Sequence, residues 1–282
     1  MTGKRSLLPY CILVLLTIFL ITSQASALLT ADDVANQVKE ALAAGATVED
    51  AVKSVVASAI AQGMSAKDAA AAAAKSAIAA ALTSDQDVNA AIRGAVIGAA
   101  NGALAAGQDA NAALEGACQG VISAAADADA DIQLAAWMAV GACVSHAVQH
   151  NQDSTLAASA GVTGAITGAV ESGLSSKEIA TVVSGSAKGA IAEAIVTGQD
   201  TRAMATAVQG SVYSAAENHG LDAANLAMIA AAAASIADTL PPREAPSPRE
   251  RTPSRGAPEG PAMPSPESDP IEPVPDPTAS GV

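Results

Sequence analysis

Polar and apolar positions along residues 30–240 recur with a long, regular period. A Ser or Asp stands at Ser65, Asp87, Asp109, Asp131, Asp153 and Ser175, each 22 positions after the last. The series resumes at Asp200 after a three-residue insertion and again at Asp222, while shorter units begin upstream at Thr30 and Thr47. A fixed period of this length marks a repeat architecture. Every one of these residues is a helix-capping type, whose side-chain oxygen accepts from the free N–H groups of a first turn. Ahead of them stand stop signals: Gly45-Ala46-Thr47, Gly63-Met64-Ser65, Asp85-Gln86-Asp87, Gly107-Gln108-Asp109, Asn151-Gln152-Asp153, Gly173-Leu174-Ser175, Gly198-Gln199-Asp200 and Gly220-Leu221-Asp222. Gly and Asn tolerate the left-handed conformation that ends a helix. Thr30, Thr47, Ser65 and Ser175 are each followed three residues on by an acid (Asp33, Asp50, Asp68, Glu178), which predicts capping boxes.

Each unit therefore predicts one helix of about 18 residues, roughly 27 Å long, and a tight turn. Connections this short make sequential helices antiparallel neighbours. One continuous helix with 11-residue half-periods would supercoil right-handedly, but a capped stop at every period breaks it. Within the units, side chains sort by a spacing of four. Large apolar residues form one series (Ile92, Val96, Leu104; Leu114, Cys118, Ile122; Val140, Val144, Val148; Val162, Ile166, Val170), and glycines another (Gly94, Gly98, Gly102; Gly116, Gly120; Gly161, Gly164, Gly168; Gly185, Gly189). Polar residues such as Asn89, Arg93 and Asn101, or Asn111, Glu115, Gln119 and Ser123, keep to a narrow third stripe. A helical Gly costs about 1 kcal/mol relative to Ala. Three in one helix point to close helix approach, near the ~8 Å lower limit of interaxial distance. The predicted fold is all-α: an array of about ten short antiparallel helices in 22-residue Ala/Gly-rich repeats, either a solenoid-like stack or a closed bundle. The strip Asp131–His150 is the most apolar and is expected at the centre, with Trp137 and Tyr213 as core fillers.

Three segments follow from the same pattern. Residues 1–27 read as a signal peptide: Lys4 and Arg5, an apolar run from Leu7 to Ile21, and Ala25-Ser26-Ala27 as a small-x-small cleavage site. The run is short for a membrane span. Residues 28–240 form the helical domain and contain no proline. Of 14 prolines, thirteen lie between Pro241 and Pro277. Residues 241–282 accordingly read as a disordered Pro-rich tail, with too few large apolar side chains to offset the entropy of ordering. The expected destination is the periplasm or the extracellular space.

Composition narrows the function classes. Half the chain is hydrophobic, yet only 1% is aromatic, and 14 Lys+Arg face 28 Asp+Glu for a net charge of -14. Scarce aromatics remove stacking platforms, and an acidic chain repels phosphate backbones, so no nucleic-acid partner is expected. No nucleophile elbow, zinc-protease motif, CxxC or phosphate loop is present, and most Asp residues are accounted for as helix caps. No enzyme activity, cofactor or small-molecule substrate is therefore expected.

Cys118 and Cys143 are the sharpest pair in the sequence. They lie equidistant from the Asp129-Ala130-Asp131 turn, so an antiparallel hairpin sets the thiols opposite one another. In an exported chain this predicts a disulfide, with two packed free thiols as the alternative. Cys143, His146 and His150 share one helix face near Glu115 and are the candidate metal ligands. His150 adjoins a helix stop, however, where a histidine ordinarily caps, so no metal site is expected. The leading functional expectation is an exported, non-enzymatic scaffold that meets a protein partner or copies of itself. A membrane-active glycine-zipper-like protein is the alternative, although an acidic chain with polar stripes makes membrane insertion the lesser expectation. The composition also resembles the alanine-rich fish antifreeze proteins, which would imply ice binding. Their Thr series is missing here: Thr163, Thr167, Thr181, Thr201 and Thr206 follow no fixed offset.

Overall fold

The computed structural model describes residues 29–84 and 86–238. The segments expected to be a signal peptide (1–27) and a disordered Pro-rich tail (241–282) lie outside the described residues. Ten helices fill the described chain: α1 (Ala31–Ala43), α2 (Val48–Ala61), α3 (Ala66–Leu82), α4 (Val88–Ala105), α5 (Ala110–Asp127), α6 (Ile132–Gln149), α7 (Ser154–Glu171), α8 (Ser176–Thr197), α9 (Thr201–Asn218) and α10 (Ala223–Asp238).

Local chemistry explains each boundary. Thr30, Thr47, Ser65, Asp87, Asp109, Asp131, Asp153, Ser175 and Asp200 are the N-caps of α1 to α9, each in extended backbone and each accepting a first-turn N–H. Asp222 does the same for α10, accepting from Asn225 N at 3.1 Å. Full capping boxes form at Thr30 and Ser175. At Thr47 and Ser65 the hydroxyl instead donates to the acid, 2.8 Å to Asp50 and 2.7 Å to Asp68. Helices end on left-handed Gly45, Gly63, Gly107, Gly173, Gly198 and Gly220, and on Asn151. Asp129 takes the same conformation (φ 52°) in a turn that has no Gly or Asn. The three-residue insertion falls in α8, which runs 22 residues and is capped directly by the left-handed Gly198. We expect Asp109→Ala to lower stability by about 1 kcal/mol in thermal melts, the ordinary worth of such a cap.

Backbones pack only between helices one and two places apart along the chain. Odd helices (α1, α3, α5, α7, α9) form one layer and even helices (α2, α4, α6, α8, α10) the other, with α1 and α10 apart. This is an open two-layer stack, which decides between the solenoid-like and closed alternatives. Sequential helices are antiparallel neighbours as the short turns require. The closest approach, however, is between helices two apart, which run parallel.

Glycine makes that approach possible. A β-carbon on Gly102 of α4 would lie 2.7 Å from the Lys53 carbonyl of α2, and one on Gly98 would collide with the Glu49 carbonyl. The same collision recurs from Gly116 and Gly120 onto Lys67 and Ala71, from Gly164 and Gly168 onto Glu115 and Gln119, and from Gly185 and Gly189 onto Gln133 and Trp137. Each pair advances together along both helices, which fixes the parallel direction. Backbone therefore touches backbone, and Cα–H groups face carbonyl oxygens, a contact worth ~0.5–1 kcal/mol each. Ala, Val and Ile fill the space between layers. Spacing this tight leaves no room inside for the largest side chains. Trp137 (39% exposed) and Tyr213 (44%) consequently sit at the surface, contrary to their expected place in the core.

Gly210 is the instructive exception, because nothing lies within 4 Å of its would-be β-carbon. Gly210→Ala should therefore stabilise the fold by about 0.5–1 kcal/mol through helix propensity alone. A thermal melt that moved downward would contradict this.

Candidate functional site

Three groupings of chemically capable side chains emerge from the stack. The first is the thiol pair. Cys118 on α5 and Cys143 on α6 are fully buried and free, with Sγ atoms 3.4 Å apart. Gly161 of α7 makes the room, since a β-carbon there would stand 2.8 Å from the Cys143 Sγ. The mutual hydrogen bond, and then burial, push the Cys118 thiol well above the usual range. Cys118 is thus protonated and poor as a nucleophile in the folded protein.

The second grouping is histidine-centred. His146 is buried, its Nε2 lies 3.2 Å from the Asn101 Oδ1 of α4, and its Nδ1 has no partner. An acceptor oxygen at Nε2 places the proton there and leaves Nδ1 as a bare lone pair. His150 stacks beside it, ring centroids 4.3 Å apart and tilted by 30°. Asn101 in turn donates to Glu49 of α2 at 3.4 Å. Cys143 turns away toward Cys118. Glu115 faces α3, paired with Lys67 at 2.6 Å, so it does not join the histidines as the sequence suggested. Among the described residues, no three His, Cys, Asp or Glu side chains are grouped to hold a metal ion.

Burial, and secondarily the neighbouring His150, lower the His146 pKa to about 4. The unfolded value is near 6.5, so below that pH the unfolded chain binds the extra proton. Stability is then full above pH ~6.5, falls as the pH drops toward 4, and levels off below. We expect a loss of roughly 2–3 kcal/mol across that window. His146→Gln should remove most of it in urea melts at pH 7 and pH 4.5.

The third grouping is the surface of the even layer. Glu49, Arg93 and Trp137 stand two repeats apart from one another on α2, α4 and α6, and so form one row. Arg93 reaches across α6 to Glu193 of α8 at 3.6 Å, and Glu193 passes over Gly141, whose missing side chain leaves the path open. A surface cavity of ≈ 510 Å³ lies between the starts of α2 and α4, bordered by Val48, Glu49, Ala90, Arg93, Gly94 and Ile97. Lys53 and Lys188 flank this surface without an ionic partner among the described residues. On the odd layer Lys67 pairs with Glu115 and Lys75 with Asp127 at 2.8 Å, Gln119 donates to Glu171 at 2.6 Å, and Lys39 and Arg202 have no ionic partner among the described residues. The even-layer row escaped the sequence reading. Stacking the repeats two by two, rather than in succession, would have shown it.

Two helices, α6 and α8, are long and apolar enough to cross a membrane by length and composition, with mean hydropathies of 1.2 and 1.4. Both are mostly buried against their neighbours in the stack.

No protein-family model matches the sequence, and no curated protein matches it. Among solved structures, the crystal structure of a de novo designed helical repeat protein is similar to this chain. The identity is 22% and the TM-score 0.41, over 61% of this chain and 97% of that one.

Proposed function

We propose that the protein is an exported, non-enzymatic helical-repeat scaffold that holds another protein, or a second copy of itself, on the outer surface of its even layer. The observation that carries this reading is the row of Glu49, Arg93 and Trp137 on the even layer. The even surface sets the exposed Trp137 indole in line with Arg93 and Glu49, beside a cavity between the starts of α2 and α4. Exposed aromatic side chains and Arg are the anchors that protein interfaces use most. Most of the described carboxylates are engaged as helix caps or in inter-helix pairs, which favours a binding role over a catalytic one.

Site-specific photo-crosslinking tests the proposal. A photoreactive residue in place of Trp137 should give a discrete adduct in producing cells, and the same residue at Ala112 on the odd layer should not. Equal labelling at both positions, or at neither, would count against it.

The membrane-active alternative draws on α6 and α8, the two helices of sufficient apolar length. Insertion would require these helices to leave their partners in the stack. Flotation of the purified protein with liposomes would favour that reading; recovery at the bottom of the gradient would remove it.

A further inference from the structure

The odd layer ends at α9, which packs on α7, α8 and α10 and has no layer mate on its far side among the described residues. That side presents Arg202, Thr206, Gln209, Gly210, Tyr213 and Glu217, all exposed. Spacings of three and four residues set them in one stripe. Arg202, Thr206 and Gly210 hold the repeat positions of Lys67 and Ala71 on α3 and of Gln119 on α5, whose carbonyls receive the next helix of the layer. Gly210 alone among the described helical glycines has nothing within 4 Å of its would-be β-carbon. Its cost in helix propensity is therefore offset by no close approach inside the chain. Tyr213 is 44% exposed, and its hydroxyl donates to Glu217. Met228, which holds on α10 the repeat position of Thr206, is 64% exposed.

The stripe is complementary to itself. Arg202 and Glu217 are equidistant from the midpoint between Gln209 and Gly210, and so are Thr206 and Tyr213. When two copies of α9 lie antiparallel about a two-fold axis at that midpoint, Arg202 of each chain meets Glu217 of the other. Neither residue has an ionic partner among the described residues of its own chain. Each Gln209 crosses the second copy's Gly210, where the missing side chain lets the helix axes approach to about 8 Å. Tyr and Met are residue types that interfaces favour. Both copies use the same surface, so the pair closes on itself.

We infer that the protein forms a two-fold dimer through α9, the stripe around Gly210 docking on the same stripe of a second copy. This surface is separate from the even-layer row and does not depend on the scaffold reading.

Sedimentation velocity of the purified protein at rising concentration tests it. The expected result is a monomer–dimer equilibrium with a dissociation constant below about 100 µM. Arg202→Glu and Glu217→Arg should each weaken dimerisation at least about tenfold, because each sets like charges opposite one another. Mixed in equal amounts, the two variants should regain the dimer, since Arg then meets Glu at both ends of the mixed pair. Gly210→Leu should block the crossing while leaving the helical circular dichroism unchanged, because the space beside Gly210 is open within the chain. A wild-type protein that stays monomeric at that concentration, a dimer indifferent to the charge reversals, or variants that fail to pair on mixing would overturn the inference.

Discussion

Gly164→Val is expected to destabilise the protein by at least about 3 kcal/mol, and to leave much of it unfolded at 37 °C. Overpacking a core typically costs about 1–3 kcal/mol when neighbouring side chains can yield. Here the obstacle is the Glu115 carbonyl, a backbone atom in the middle of α5, so relief requires moving a whole helix. Such a displacement propagates, because α5 is itself seated on α3 through Gly116 and Gly120. Gly164→Ala should show a smaller loss in the same direction. The contrast with Gly210→Ala, where the space is open, separates the steric effect from helix propensity, since both exchanges gain the same propensity. Urea melts of the three variants check the order: Gly210→Ala above wild type, Gly164→Ala below it, Gly164→Val lowest.

The second large effect concerns Cys118 and Cys143. In an oxidising compartment we expect the two thiols to join, giving up two protons and two electrons to a disulfide or oxidoreductase acceptor. The bond would close a loop spanning 25 positions. Cross-linking a loop of this size contributes about 3 kcal/mol on the chain-entropy estimate, which corresponds to a melting temperature some 6–12 °C above that of the reduced protein. Both thiols are buried and Cys118 stays protonated, so oxidation awaits local opening of α5 from α6 and proceeds slowly in the folded protein. Intact mass under non-reducing conditions, before and after an oxidising glutathione buffer, follows the loss of two hydrogens. Thiols that stay free in that buffer after unfolding and refolding would refute the expectation.

The sequence discloses some of these features more readily than others, for physical reasons. Helix starts and stops were legible because capping is local: a Ser, Thr or Asp and the N–H groups it serves lie within three residues. The Asp129 turn was less distinct, since an Asp occupies the left-handed position that Gly or Asn holds in seven of the other turns. The facing of Cys118 and Cys143 was legible because hairpin symmetry about a turn is a matter of counting. The need for close approach could also be read from the glycines, but their partners could not. Which carbonyl a glycine meets depends on the register between helices about 49 positions apart, and that is settled by packing of the whole layer. Trp137 illustrates the opposite error. Large apolar side chains are usually buried, yet a core spaced by Ala and Gly is too thin to take an indole, and size excludes it. His146 at a glycine position was visible in principle by aligning alternate repeats.

The parallel pairing of helices two apart is the claim on which the zipper, the layers and the even surface all depend. Cysteine pairs test it directly in a background with Cys118 and Cys143 replaced by serine. Lys67→Cys with Glu115→Cys, and Lys75→Cys with Asp127→Cys, substitute residues that touch across α3 and α5. Both double variants should form disulfides readily under mild oxidation, while Lys67→Cys with Asp127→Cys should remain reduced. Rapid bonding of the Lys67/Asp127 pair, with the other two left as free thiols, would mean that α3 and α5 run antiparallel and would contradict the account.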